Sequence, residues 1–593
     1  MSAIEASTSS GGEALKKVLG AKDLLMLGVG GVIGGGVFVL TGAAAHDHAG
    51  PAVVFSYVVA SATSMVTGLC YTEFAVEVPV AGSAYNYVAM TFGEFAGFLC
   101  GCNLALELTI SAAAVARGWT SYVATLFHAS PDALRVSMGS ITLDFPAATL
   151  VAAIIALLVV GMKETARFNT VVTLVSLAVV GFVIVVGGLA VEPANWTPFA
   201  PNGVSGVLAG ASVVFFSFVG FDTVATCAEE VKCPGRDLPI GIMGSLGVCA
   251  ALYAAMCLVI TGMVPTPDID VDAPFAIAFR DRHMAWAESV ISFGAVAAIT
   301  TALLSSLMGQ PRVYMVMARD GLLPDWFARV HSRHGTPANA TVFTGVTTAA
   351  LALLVDIDIL AELVSIGTLA IFGSVCAGLL ARRYTPEDGT GRSPALTRVA
   401  LLVGACVLFS AAYAFVHAKG AGGSGGGSNH GEGEGEGGGE RVDGPVVLCL
   451  VGLAGIVAST ASFNWLPKHN APRNGFATPF VPYLPALGVM ATVQLITSLG
   501  SLAWARFFIY TVCCSVGYFG YGVAGIMRGW GPKEDGPQDT ELLIVGDCDD
   551  GIGGGCGGVE EGNIEGKGET SGLLNDAGRS DEGNLAVSSA GRM

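Results

Sequence analysis

Charge is what this sequence has least of. Only 13% of its 593 residues are Asp, Glu, Lys or Arg, about half of the roughly 25% found in soluble globular domains. That density cannot cover a water-facing surface, so a soluble enzyme is excluded. Histidine is also scarce, with nine in the chain, mostly in loops such as those holding His46, His48, His331 and His334. An HExxH helix, a phosphate-binding P-loop and any close His/Cys ligand set are missing, and no metal or cofactor is expected. No basic stripe runs along the chain, which argues against a nucleic-acid partner. The first twenty residues are polar and lack the charged-then-apolar pattern of a cleaved leader.

The net charge of −18 is not spread evenly. Residues 531–593 hold fourteen acidic and four basic side chains. Residues 419–444 add Glu432, Glu434, Glu436, Glu440 and Asp443 against Lys419 and Arg441. What remains is close to neutral and strongly apolar: 52% of the chain is hydrophobic and mean hydropathy is +0.64. The 14 cysteines are scattered through the apolar runs, as expected of free thiols acting as small apolar residues.

A membrane-crossing helix needs about 20 mostly apolar residues. Runs of that kind fall at 24–45, 51–75, 95–127, 147–163, 170–191, 205–227, 239–263, 285–317, 340–356, 359–381, 397–417, 445–463, 483–500 and 506–528. The expected fold is therefore an all-α polytopic membrane protein of about 14 transmembrane helices, in contact with a lipid bilayer. If the N-terminus is inside, twenty-two Lys and Arg lie in inner segments and five in outer loops, which places both termini in the cytoplasm. Residues 420–444 are Gly/Glu-rich and are expected to be a disordered outer loop, and the acidic tail from 531 is expected to be disordered too. The tail carries two acidic dileucine patterns, Asp539 to Ile544 and Glu569 to Leu574. Asn195-Trp196-Thr197 is a glycosylation sequon in a predicted outer loop.

Two runs are interrupted. The first contains three consecutive glycines, Gly34, Gly35 and Gly36, each costing a continuous helix roughly 1 kcal/mol relative to alanine. Unwound backbone at membrane depth is tolerated only where it is buried or lines a cavity, and amides freed at the second half-helix can hold a carboxylate. The alternative is close helix packing through small residues. The sixth run is broken at Gly220, followed at once by Asp222 and ending in Glu229 and Glu230. Broken first and sixth helices suit a five-plus-five inverted repeat with a site between its halves. The third run contains Glu107 among leucines. An intramembrane carboxylate is a functional candidate by default, its alternative being a structural pair with a neighbouring helix. The eighth run contributes Ser305 and Ser306.

The stretches GVIGGGVFVLTG (31–42), YTEFAVEVPVAGSAYNYV (71–88), FFSFVGFDTVATCAEEVKCPGRDLPIGI (215–242), GQPRVYMVMARDGLLP (309–324) and FVPYLPALGV (480–489) resemble the cationic amino acid transporters of the amino acid–polyamine–organocation superfamily. The resemblance runs from about residue 12 to 530. It implies a cytoplasmic N-terminus at 1–22, a ten-helix core at 23–383, four further helices at 384–530 and an appended tail at 531–593. It also implies alternating-access transport of an amino acid, cationic before neutral, in the plasma membrane or else a vacuolar or lysosomal one. The substrate's carboxylate would meet the amides of Gly34, Gly35 and Gly36. Its ammonium would meet the carbonyls of Ile33, Phe216, Ser217 and Val219. Glu107 matches a carboxylate of many relatives, and Ser306 falls where some carry a bulkier residue. Some relatives couple to protons through a fifth-helix lysine, but that position is Ser176 here. Proton coupling, if present, falls to Glu107 or Asp222. A neutral or broad-specificity permease, and an amino acid sensor signalling through its tail, are the competing expectations.

Overall fold

The computed structural model describes residues 15–527, apart from 16, 35, 128, 130–132, 139–140, 272, 332–334, 356, 386–391, 423–442, 469–474 and 500. The acidic tail, both dileucine patterns and Gly35 lie outside the described residues. The chain is built of helices, and every apolar run lies on one helix or on a broken pair. The labels run α1 (Ala21–Val32), α2 (Val53–Glu77), α3 (Ala84–Phe92), α4 (Glu94–Leu126), α5 (Phe145–Val160), α6 (Met162–Gly188), α7 (Gly203–Val214), α8 (Phe221–Thr226) and α9 (Pro234–Met263). They continue with α10 (Pro274–Asp281), α11 (Ala285–Arg319), α12 (Ala338–Leu354), α13 (Ile357–Arg383), α14 (Arg392–Gly422), α15 (Asp443–Ser462), α16 (Tyr483–Thr497) and α17 (Ser501–Met527).

Among the described residues ten helical stretches are long and apolar enough to cross a membrane, while α5, α12 and α16 are apolar but shorter. Their outward faces settle which solvent they meet. Beyond the charged first turns of α6, its exposed large side chains are Phe168, Val171, Leu174, Val175 and Val185, and on α17 the exposed large apolar ones are Phe508, Ile509, Val512, Val516 and Phe519. Each set follows helical spacing, so each is a continuous apolar stripe. Stripes of that extent are untenable against water and natural against lipid tails. The chain is an integral membrane protein.

The expected all-α fold is observed. Helix α14 runs to Gly422 and α15 opens at Asp443, and the rest of the expected loop at 420–444 lies outside the described residues. One short hairpin accompanies the helices. Val136–Met138 (β1) and Ile141–Leu143 (β2) form an antiparallel hairpin between α4 and α5. The buried Arg117 guanidinium fastens it, donating to Thr142 Oγ1 at 2.9 Å and to the Val355 carbonyl. Arg135 adds a 3.0 Å ion pair with the buried Asp144.

Small residues set the helix spacing in the core. A Cβ added to Gly28 of α1 would lie 2.5 Å from Ser245 Oγ of α9, and one added to Gly101 of α4 would lie 2.7 Å from Met317 of α11. Close backbone approach replaces the hydrophobic drive that is lost in lipid. The sequon residue Asn195 is tied into the body by the same logic of satisfied polar groups. Its Nδ2 donates to the Gly262 carbonyl at 2.8 Å, so the atom that glycosylation would modify is already engaged.

Candidate functional site

Both interruptions are present, and they meet. Helix α1 stops where Ile33 turns extended (φ −73°, ψ 104°). The chain then resumes as wide π-type turns at Gly36–Leu40 and Ala44–Ala49, with Thr41–Ala43 between them. Helix α7 tightens into a 3-10 turn at Phe215–Phe218 and becomes extended at Val219. It restarts as α8 only after Gly220, whose φ of +128° is a conformation that side chains with a Cβ rarely adopt.

The two breaks pack backbone against backbone. A Cβ on Gly36 would sit 2.4 Å from the Ser217 Cα, and one on Gly220 would sit 2.7 Å from the Gly31 carbonyl carbon and oxygen. On its other side the first break rests on α11, where a Cβ on Gly34 would meet the Ala302 methyl at 2.4 Å. Backbone groups released by unwinding are costly in an apolar interior unless they find partners. Tyrosines supply several of them. The Tyr253 hydroxyl of α9 lies 2.6 Å from the Val32 carbonyl and 3.1 Å from the Ser217 carbonyl, one from each break. The Tyr57 hydroxyl of α2 bridges Thr41 Oγ1 at 2.7 Å and Ser217 Oγ at 3.3 Å. The Tyr122 hydroxyl donates to the Phe38 carbonyl at 2.6 Å.

Tyr253→Phe removes the donor and leaves the ring. Leaving buried carbonyls unsatisfied costs about 1–3 kcal/mol. The expected result is a lowered Tm of the detergent-solubilised protein together with slower uptake, because the bond spans the two breaks. A stability loss with unchanged uptake would confine Tyr253 to a packing role.

The expected site residues separate into groups. Ile33, Gly34, Gly36, Ser217 and Val219 are buried around the meeting of the breaks, with Phe216 half-buried beside them. The Phe216 carbonyl already accepts the Val219 amide at 3.1 Å, and the Ser217 carbonyl accepts Tyr253. Each carbonyl oxygen has a second lone pair beyond that bond. On α11, Ser305 faces the break: a Cβ on Gly31 would lie 2.9 Å from its hydroxyl oxygen. Ser306, the next residue, is half-buried and points about 100° round the helix from Ser305. Asp222 is 1% exposed. One of its oxygens accepts the Gly220 amide at 3.1 Å, so it caps the restart of α8, while its other oxygen has no protein partner. Ser176 is buried and donates to the Thr173 carbonyl of its own helix at 2.9 Å. The α6 side chains against α1 are Asn169, whose Nδ2 donates to the Met26 carbonyl at 3.0 Å, and Thr173, next to Gly30.

Glu107 is 2% exposed and lines a cavity of about 30 Å³ with Asn103 and Leu106 of α4, Ile366 and Gly367 of α13, and Arg506, Phe507 and Tyr510 of α17. Thr368 approaches its carboxylate, and no other described protein group hydrogen-bonds either oxygen. Asp222 and Tyr71 are near enough to interact with it electrostatically. Glu107 is therefore a cavity-lining carboxylate, in a cavity whose other walls are α13 and α17.

Tyr57, Tyr253 and Arg506 are not among the residues that sequence reasoning selected. Arg506 and Arg117 fall inside apolar runs, so the comparison of loop cations passes over both.

Residues 19–426 match the family model described as amino acid permease, and residues 476–525 match the model of the C-terminus of that permease. The chain is 38% identical over 520 residues to cationic amino acid transporter 1 of Arabidopsis thaliana, covering 86% of this chain and 83% of that one. It is 35% identical to the vacuolar cationic amino acid transporter 4 of the same plant, covering 87% and 93%. It is also 39% identical over 413 residues to the methylthioribose transporter of Bacillus subtilis, covering 68% and 90%.

Proposed function

The chain belongs to the amino acid permease family, and from that premise we propose that it carries amino acids across a membrane by alternating access, with cationic amino acids preferred. The observation that carries this reading is the apposition of the two breaks, Gly36 on Ser217 and Gly220 on Gly31. The amides of Gly34, Gly35 and Gly36 take the substrate carboxylate, and the carbonyls of Ile33, Phe216, Ser217 and Val219 take its ammonium. Such contacts recognise the part common to all amino acids, and they leave side-chain choice to Ser306 and Glu107. A carboxylate about 4 Å from a cation gains roughly 4 kcal/mol at an effective dielectric near 20, before desolvation offsets part of it. The transport names of the plant relatives support the cationic preference.

The proposed topology has fourteen crossings with both termini cytoplasmic, in the plasma membrane, with the vacuolar membrane of one relative as the second location. A second reading, a wider solute range, is favoured by the relative named a methylthioribose transporter, which matches 68% of the chain.

Uptake of labelled arginine into proteoliposomes, with and without an inward proton gradient, tests the main reading. Arginine should accumulate and be displaced by lysine and ornithine. Displacement by methylthioribose but not by lysine would replace it with the second reading. Acceleration by the gradient assigns proton coupling to Glu107 or Asp222, and insensitivity to it assigns facilitated exchange. Ser306→Met tests selectivity, because it lengthens a half-buried side chain where a long substrate end needs room. Arginine uptake should fall several-fold more than alanine uptake, and equal losses would remove Ser306 from the site.

A further inference from the structure

The segment that enters α1 is bound to the turn that follows α8. The Val18 and Leu19 amides both donate to the Glu230 carbonyl, at 2.9 and 3.0 Å, and the Lys232 amide donates to the Leu19 carbonyl at 3.0 Å. Leu19 and Val231 thereby pair as an isolated parallel bridge, and both side chains are buried. This bridge is the far end of a seam that starts at the breaks, where Gly220 lies against Gly31. Further along, Leu24 of α1 and Val224 of α8 meet over one residue: a Cβ on Gly241 of α9 would lie 2.8 Å from the Leu24 Cβ and 3.1 Å from the Val224 Cγ1. Helix α1 has 12 residues, so the bridge sits about 18 Å beyond the break, at the end that the proposed topology places in the cytoplasm. Glu230 is the node there. Its carbonyl holds Val18 and Leu19, and its carboxylate accepts Arg312 Nε of α11 at 2.8 Å. Helix α11 also borders the first break through Ala302. Three elements around the breaks are thus tied together at their inner end through one residue.

We propose that Val18 and Leu19 form a latch, which holds the inner halves of the two broken helices together and must let go of Glu230 and Val231 before a solute can leave the breaks inward. A solute between the breaks is enclosed on this side by α1, α8 and α11, so inward exit requires one of them to move away from the others. Helix α1 is the one that the latch anchors. Three backbone hydrogen bonds and a buried leucine–valine contact place the latch at the low end of local stability, where a segment opens without global unfolding. The release step rests on the alternating-access reading above, whereas the latch itself does not.

A covalent lock tests the release. Residues paired across a bridge sit about 4.8 Å apart, inside the roughly 4.4–6.8 Å between α-carbons that a disulfide spans. The double variant Leu19→Cys with Val231→Cys, in proteoliposomes, is oxidised with copper phenanthroline: the two thiols lose two protons and two electrons to Cu(II), and peptide mass spectrometry verifies the cross-link. Arginine uptake should fall at least about tenfold relative to the single variants treated alike, which control for the 14 native cysteines, and return with dithiothreitol. A structural tether tolerates being made covalent, and a latch does not. A verified cross-link that leaves uptake within about twofold of the reduced form would overturn the proposal. The second readout needs no solute and no cross-link. Cys227 is fully buried just after α8, and its carbonyl accepts the Glu230 amide at 2.9 Å. In nanodiscs a hydrophilic maleimide should alkylate Cys227 at least about tenfold faster in Leu19→Ser, which removes the buried anchor, and at the unmodified protein's rate in Leu19→Met. An unchanged rate in Leu19→Ser, or equal acceleration in both variants, would overturn the latch. Faster alkylation in Leu19→Ser, in a protein that takes up no amino acid even unmodified, keeps the latch and removes the transport reading.

Discussion

Gly36→Val reduces uptake to background while the protein still inserts and accumulates. At this position the added Cβ would lie 2.4 Å from the Cα of Ser217 and 2.7 Å from that residue's side chain. The obstruction is backbone, so no side-chain rotation relieves it, and the two breaks must separate. Overpacking a core typically costs about 1–3 kcal/mol, which a helical bundle of this size survives. A site built from the amides and carbonyls of both breaks does not survive it, because a displacement near 1 Å already degrades bound geometry. Gly181 of α6 supplies the control, since a Cβ there meets nothing within 4 Å, and Gly181→Val should transport normally. Uptake by Gly36→Val within about twofold of the unmodified protein would reduce the break to a packing device.

Much of this arrangement is legible in the sequence, because lipid imposes strict terms. A crossing must be apolar for about 20 residues, so the helices announce themselves, and three glycines in such a run announce a break. Gly220 followed by Asp222 announces the second, since the amides of a restarting helix want an acceptor. What the sequence conceals is the phase of helices buried nearly all round. Along α11 both Ser305 and Ser306 are plausible cavity residues. Only packing against α1 turns Ser305 to Gly31, and sequence offers no amphipathic stripe to choose between them. Tyr57 and Tyr253 are concealed for another reason. A tyrosine in an apolar run reads as core, and its role comes from distant groups, a carbonyl 221 positions away for Tyr253 and a hydroxyl 160 positions away for Tyr57. Arg506 hides in the same way. Its neighbourhood depends on α17 docking onto α4, about four hundred residues earlier.

Glu230→Gln and Arg312→Met should each destabilise the protein strongly, and the double variant should recover most of the loss. Glu230 follows α8 and Arg312 lies within α11, both nearly fully buried. Arg312 Nε lies 2.8 Å and Nη2 2.5 Å from Glu230 Oε1. The same corner is pinned by backbone, as the amides of Val18 and Leu19 donate to the Glu230 carbonyl at 2.9 and 3.0 Å. Glu229 extends the cluster, accepting the Ala81 amide at 2.9 Å and pairing with Arg319 at 3.3 Å. Removing one member of a buried pair leaves a charge without compensation and costs about 3–5 kcal/mol, whereas replacing both is often close to neutral. The two single variants should differ in their pH dependence. Burial pushes the Glu230 carboxyl above its usual range, and Arg312 acts against that shift. Without Arg312 the carboxyl rises further. Stability of Arg312→Met should then be retained at acid pH, where Glu230 is neutral, and lost as pH climbs through the raised value. Glu230→Gln leaves a guanidinium that cannot shed its proton, so its defect should persist across the range. Thermal unfolding in detergent at several pH values measures both. If the double variant is as unstable as the worse single one, the corner depends on the shapes of these side chains rather than on their charges.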